Sequence, residues 1–125
     1  MRLLDLFCGA GGASMGYHRA GFDVVGVDIN PQPNYPFEFH RADAMEFPLD
    51  GFDVIHASPP CQAYCSFSKK LGHPDMIAGV RDRLAGLAYV IENIPGSPLI
   101  NPIRLCGSSF VLMFGGIACL NPRSR

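Results

Sequence analysis

No stretch of this chain is long and apolar enough to cross a bilayer. The longest greasy run, "FVLMFGGIACL", is broken by two glycines and is about half the length a membrane helix needs. The start, "MRLLDLFCGAGG", runs directly into a strand and a glycine turn, so no signal peptide is expected. The five cysteines (Cys8, Cys61, Cys65, Cys106 and Cys119) are odd in number and scattered, which excludes a disulfide framework. Free thiols in a reducing cytoplasm are the expectation. The formal net charge of −1 announces neither nucleic acid nor a membrane surface. Only the distribution is uneven: residues 1–95 hold all eleven acids against seven bases, and the last thirty hold only Arg104, Arg123 and Arg125. There is no internal repeat and no linker, so residues 1–125 are expected to form one domain. A metal site is not expected, because Cys61 and Cys65 with His56 lack a fourth ligand at sensible spacing.

What is present alternates between strand and helix. "RLLDLF", "DVVGVDI", "FEFHRAD", "FDVIHAS" and "AYVIEN" read as five strands. "ASMGYHRAGF" reads as a helix stopped by Gly21, and "PDMIAGVRDRLAGL" as a second one opened by Pro74. Met76, Ile77, Val80, Leu84 and Leu87 fall on one face of that second helix. "PQPNYP" is too rich in proline for regular structure, and residues 63–73 form a polar loop with Lys69 and Lys70. Strands that are apolar throughout imply an α/β fold, with a mostly parallel sheet covered by helices on both faces. After Gly96 the pattern dissolves. "VLMFGGIACLNPRSR" has apolar content without a clear period, so the sheet is expected to be incomplete at the C-terminus. If that tail is exposed, it is expected to drive dimerisation.

The turn "DLFCGAGGAS" joins the first strand to the first helix. Gly9, Gly11 and Gly12 allow a close backbone approach to a ligand facing the helix N-terminus. Asp28 ends the next strand about twenty residues on, where an acid accepts hydrogen bonds from ribose hydroxyls. Asp43, after the third strand, is placed to meet an adenine amine. Ser14 stands where a dinucleotide turn has its third glycine, so a nucleoside fits better than a pyrophosphate.

"SPPCQ" follows the fourth strand and "ENIPG" the fifth. Ligands of open α/β sheets bind beyond the carboxyl ends of the strands, so Cys61 and Glu92 are expected in one crevice with the glycine turn. The apolar "AYVI" before Glu92 predicts a partly desolvated carboxyl able to hand on a proton. A thiolate suits addition to an electrophilic ring carbon while that acid protonates a ring nitrogen. A cytosine ring treated in this way becomes an enamine, nucleophilic at C5, and can attack a methyl donor.

Together these residues resemble the cytosine-C5 DNA methyltransferase family over residues 3 to about 96. "DLFCGAGGASMGYHRAGF" is similar to its first motif, "GVDIN" to its second, "SPPCQ" to its nucleophile motif and "ENIPG" to its glutamate motif. The resemblance implies a Rossmann-like S-adenosyl-methionine methyltransferase fold, with S-adenosyl-L-methionine as cofactor. It implies a DNA partner in a restriction-modification setting, although part of the family acts on RNA. It assigns Phe7, Gly9, Ala10, Gly11, Asp28, Ile29, Asp43, Ala44 and Pro60 to the cofactor pocket. Cys61 becomes the nucleophile that adds to C6 and Glu92 the residue that holds and protonates N3. Gln62 and Asn93 become supporting positions. The family extrudes its target base from the duplex.

The family continues with a paired-arginine motif, a target-recognition region and a returning segment. Here "LCGSSF" is similar to the approach to the arginine motif, and Asn121, Arg123 and Arg125 stand after an intervening apolar stretch. The expectation is a truncated, frameshifted or split copy without a target-recognition domain, served by a complementing C-terminal chain or a homo-dimer. The alternative is a non-catalytic remnant that binds the donor without turnover. An amino-methyltransferase is disfavoured because Cys61, not an aromatic, follows "SPP". An NAD-dependent oxidoreductase is disfavoured by Ser14.

Overall fold

The computed structural model describes residues 1–65 and 72–105, and the backbone of two further strands at 112–114 and 117–119. Lys69, Lys70, Cys106, Asn121, Arg123 and Arg125, and the side chains of the apolar tail, lie outside the described residues. In chain order the elements are β1 (Arg2–Leu6), α1 (Gly12–Arg19), β2 (Asp23–Asp28), β3 (Glu38–Arg41), β4 (Val54–Ala57), α2 (Ile77–Arg83), β5 (Tyr89–Ile91), β6 (Leu112–Phe114) and β7 (Ile117–Cys119). The first five strands form a parallel sheet in the order β3-β2-β1-β4-β5. The order reverses beside β1: the chain moves outward through β2 and β3, then returns to place β4 on the other side. A crevice opens at the carboxyl ends of the strands at such a point.

Alternation along the strands sorts the interior into two faces. Leu4, Leu6, Val25, Val27, Ile55 and Ala57 share one apolar cluster with Val80 and Leu84 of the second helical segment. Each of those two side chains is fully buried, worth about 2 kcal/mol by area. A seven-residue helix has no stability of its own, so packing holds α2 in place. On the opposite face, Ser14 of α1 reaches Asp5 of β1. Helices therefore cover both faces of the sheet, as the apolar strands imply.

Three details depart from the sequence reading. The second helix begins at Ile77, not at Pro74, because the Asp75 carboxylate accepts the Ile77 N–H at 3.1 Å and starts it there. Leu87 lies beyond the last turn and is 46% exposed, so it does not share the buried face. The C-terminal stretch read as lacking a period contains an antiparallel pair, β6 with β7, from Leu112↔Cys119 to Phe114↔Ile117. Strands of three residues are too short to display alternation.

Candidate active site

The carboxyl ends of four strands are locked to one another by hydrogen bonds that continue the sheet ladder. Cys8 N–H donates to the Val27 carbonyl at 3.1 Å, Ser58 N–H to Leu6 at 3.2 Å, and Glu92 N–H to Ala57 at 3.0 Å. The segments that leave β1, β2, β4 and β5 therefore emerge side by side. Between them lies a cavity of about 400 Å³, lined in part by Phe7, Asp28, Pro60, Cys61, Glu92 and Asn93. Its size suits a nucleoside-sized ligand. Ile29 and Gln62 also line it. A larger hollow of about 720 Å³ runs alongside β5 and shares Glu92 and Asn93, but neither the glycine turn nor Cys61 borders it. The smaller cavity is the one that gathers reactive groups.

The cavity wall is built from strained and capped backbone. Phe7 sits at φ 60°, a left-handed conformation that costs a non-glycine residue about 1–3 kcal/mol and concentrates at functional sites. The ladder bond of Cys8 holds it there. Asp28 Oδ2 accepts the Gly9 N–H at 3.0 Å and Oδ1 accepts the Asn30 N–H at 2.9 Å. A carboxylate has about four acceptor sites, so Asp28 braces the turn and keeps capacity for a ligand hydroxyl. Asn93 Nδ2 donates to the Pro59 carbonyl at 2.8 Å, tying the segment that carries Glu92 to the one that carries Cys61.

The remaining residues expected in the pocket are placed differently. Gly9 acts through its N–H on Asp28. Gly11, at φ 90°, backs onto Tyr35 and Pro36, and Ala10 is exposed beside it. Asp43 is exposed and caps its own turn by accepting the Met45 N–H at 2.8 Å. Ala44 packs into the core, and its carbonyl accepts Arg83 Nη1 at 2.9 Å. None of these five borders the cavity. Glu92 departs from the expectation of desolvation: its side chain is exposed, because the apolar run before it lies on a strand that is at the sheet edge among the described residues.

Cys8 and Cys61 form no disulfide. Burial pushes the Cys8 thiol from an ordinary 9.0 up to about 12, and the charges of Asp5 and Asp28 add to the rise. Cys8 is therefore a packed neutral thiol beneath the turn. It is expected to resist alkylation in the native chain at about pH 8, where an ordinary thiol is partly ionised. Peptide mass spectrometry of the labelled protein checks this, and rapid modification of Cys8 would contradict it. The unfolded thiol ionises first as pH rises above 9.0, so this residue removes stability between there and about 12.

Sequence reasoning missed a buried polar chain on the α1 face. Ser14 Oγ donates to Asp5 Oδ2, and His56 Nδ1 donates to Asp5 Oδ1 at 2.9 Å. The Tyr35 hydroxyl lies 2.7 Å from Ser14 Oγ. Ser14 drew notice only as a missing glycine and His56 only as a rejected metal ligand. It did not see Arg83 either, which also donates to the Phe47 carbonyl and holds the Asp43 loop against α2.

Known proteins bear on this arrangement. The family described as C-5 cytosine-specific DNA methylase matches residues 1–79. Type II methyltransferase M.HgiGI of Herpetosiphon aurantiacus is 31% identical over 84 residues, covering 56% of this chain and 67% of that protein. Type II methyltransferase M.HgiDI of the same organism is 30% identical over 84 residues, covering 56% of this chain and 27% of that protein. Among solved structures, Burkholderia thailandensis 1,6-didemethyltoxoflavin-N1-methyltransferase superposes with TM-score 0.51 at 19% identity, over 72% of this chain and 43% of that one. That likeness shows a shared fold. The chain thus spans from about a quarter to two thirds of the length of the proteins it matches here. On the family match across more than half its length, the chain belongs to the C-5 cytosine-specific DNA methylases.

Proposed function

We propose that this chain is the donor-binding and catalytic unit of a DNA (cytosine-5-)-methyltransferase. One observation carries the reading: Cys61 and Glu92 border the same cavity as Asp28 and Phe7. The residues fit S-adenosyl-L-methionine. Asp28 has spare acceptor capacity for ribose hydroxyls, Phe7 offers a ring face, and the cavity has the volume of a nucleoside site. When bound, that donor supplies an electrophilic methyl group. The Cys61 thiolate adds to C6 of an extruded cytosine, and the Glu92 carboxyl gives a proton to N3, so that electron density collects at C5. Once C5 is methylated, water takes the C5 proton, Cys61 leaves as thiolate, and N3 hands its proton back to Glu92, which restores the ring. Asn93 keeps the two reacting segments in register.

A second reading has support in the exposure of Glu92, Pro60 and Gln62. Cys61 is only half-buried, and water exclusion is part of such chemistry. The chain then holds the donor, and turnover waits for a complementing chain or a second copy that also supplies target recognition. A thiol nucleophile favours a reducing compartment as the setting of this reaction.

Calorimetric titration with S-adenosyl-homocysteine tests the donor site. Asp28→Ala is expected to weaken binding about 100-fold, the loss of two hydrogen bonds to a charged group. Binding within about threefold of wild type would remove Asp28 from the site.

A further inference from the structure

Two glycines on different elements make room for one aromatic ring. A Cβ at Gly26 of β2 would collide with Tyr35 Cζ, and a Cβ at Gly11 would lie 3.1 Å from the same ring. The ring is thus seated between the sheet and the glycine turn, with Phe37 and Phe39 against it at 5.8 and 5.6 Å between centroids. Its hydroxyl meets Ser14 at 2.7 Å. Ser14 spends its one proton on Asp5, so Tyr35 donates to Ser14. Asp5, Ser14 and His56 are 1%, 0% and 4% exposed, and no buried side-chain polar atom among the described residues lacks a partner. The same residue types make hydrolytic triads, but here the carboxylate sits between the serine and the histidine, and all three are sealed from solvent.

The chain on each side of this ring leads to the cavity. Tyr35 belongs to the proline-rich segment 29–37, whose first residues, Ile29 and Asn30, line it. Ser14 and Gly11 belong to the turn and helix that follow Phe7, which also lines it. Tyr35 itself does not border the cavity. We propose that Tyr35 is a positioning residue for the methyl donor: its ring and hydroxyl clasp the segment after β2 to the glycine turn and so fix these two parts of the donor cavity's lining relative to each other. This rests on the donor reading given above. The bracing bonds from Gly9 and Asn30 to Asp28 connect the same two segments from the cavity side, so the clasp and Asp28 hold one joint at two depths.

Tyr35→Phe keeps the ring contacts and removes only the hydroxyl. At a temperature where circular dichroism shows every variant folded, this change is expected to raise the dissociation constant for S-adenosyl-homocysteine about tenfold, the equivalent of one buried hydrogen bond. A merely structural tyrosine would lower the melting temperature and leave that constant unchanged. Ser14→Ala, which also removes the bond to Asp5, is expected to bind no more weakly when combined with Tyr35→Phe than alone, because the Tyr35–Ser14 link is already gone in it. Wild-type affinity in Tyr35→Phe, or losses that multiply in the double variant, would overturn the proposal. Hydrogen exchange reads the clasp without any donor. The amides of Gly9, Gly11 and Asn30 are all hydrogen-bonded, and Tyr35→Phe is expected to speed their exchange. Unchanged exchange there would overturn the clasp. Faster exchange in a chain that binds no donor would uphold the clasp and sink the donor reading alone.

Discussion

Cys61→Ser is expected to abolish the covalent adduct between this chain and a DNA oligonucleotide carrying 5-fluorocytosine. Fluorine at C5 cannot leave as a proton does, so a thiolate that has added to C6 stays bound once C5 is methylated. A thiol supplies about a few per cent of reactive anion at neutral pH and a serine hydroxyl essentially none. The placement of Cys61 supports the expectation. It follows Pro59 and Pro60, whose fixed φ angles limit the backbone, and the Pro59 carbonyl is held by Asn93. Its carbonyl accepts the N–H groups of Tyr64 and Cys65 at 2.9 and 3.2 Å, so the residue opens a turn at the cavity rim. An adduct undiminished in Cys61→Ser, detected by denaturing gel shift, would remove the proposed nucleophile.

Glu92→Gln is expected to lower methyl transfer about 10²- to 10⁴-fold, the range for losing a positioned general acid. The amide keeps the shape and can still hydrogen-bond the ring, but it cannot give up a proton to N3. Donor affinity should remain within about twofold, since Glu92 acts on the base and Asp28 on the donor. Single-turnover transfer from labelled donor, with any complement that the wild type needs, separates the two quantities. A rate within about threefold of wild type would leave the acid role without a holder.

The parts of this site that were legible share a physical cause. β1, β2 and β4 are buried on both faces, so their sequences are mostly apolar, with Asp5 and His56 as buried polar exceptions, and the glycine turn, Asp28 and "SPPC" follow directly at their ends. Parallel pairing then brings those ends together whatever the loops between them do. The parts that were not legible depend on contacts between distant residues. Asp5 and His56 are 51 positions apart, and nothing local marks either as the partner of the other. Gly26 lies inside an apolar strand and shows its purpose only once Tyr35 rests on it. Tyr35 was hidden in a segment whose prolines announced only irregular structure. Glu92 shows the converse: an apolar run precedes it, yet β5 pairs only with β4 among the described residues, and Tyr89 and Val90 beside it are 38% and 47% exposed. Local hydrophobicity reports what a strand can bury, not whether a neighbour is there to bury it.

Asp43 and Ala44 mark the same boundary. The family resemblance assigns them to the cofactor, whereas the fold turns Ala44 into the core and leaves Asp43 capping its own loop. Arg83 fixes that loop through two backbone carbonyls, so its distance from the cavity is set by α2 packing.

Peptide mapping by mass spectrometry of chain trapped on the fluorinated oligonucleotide, with and without donor, reaches the central claim most directly. The expected result is a single modified peptide containing Cys61, bearing the fluorinated base together with one methyl group, and formed only when donor is present. A base attached to any other residue, or a Cys61 peptide that never gains the methyl group, would contradict a shared cavity in which Cys61 holds the cytosine against the donor.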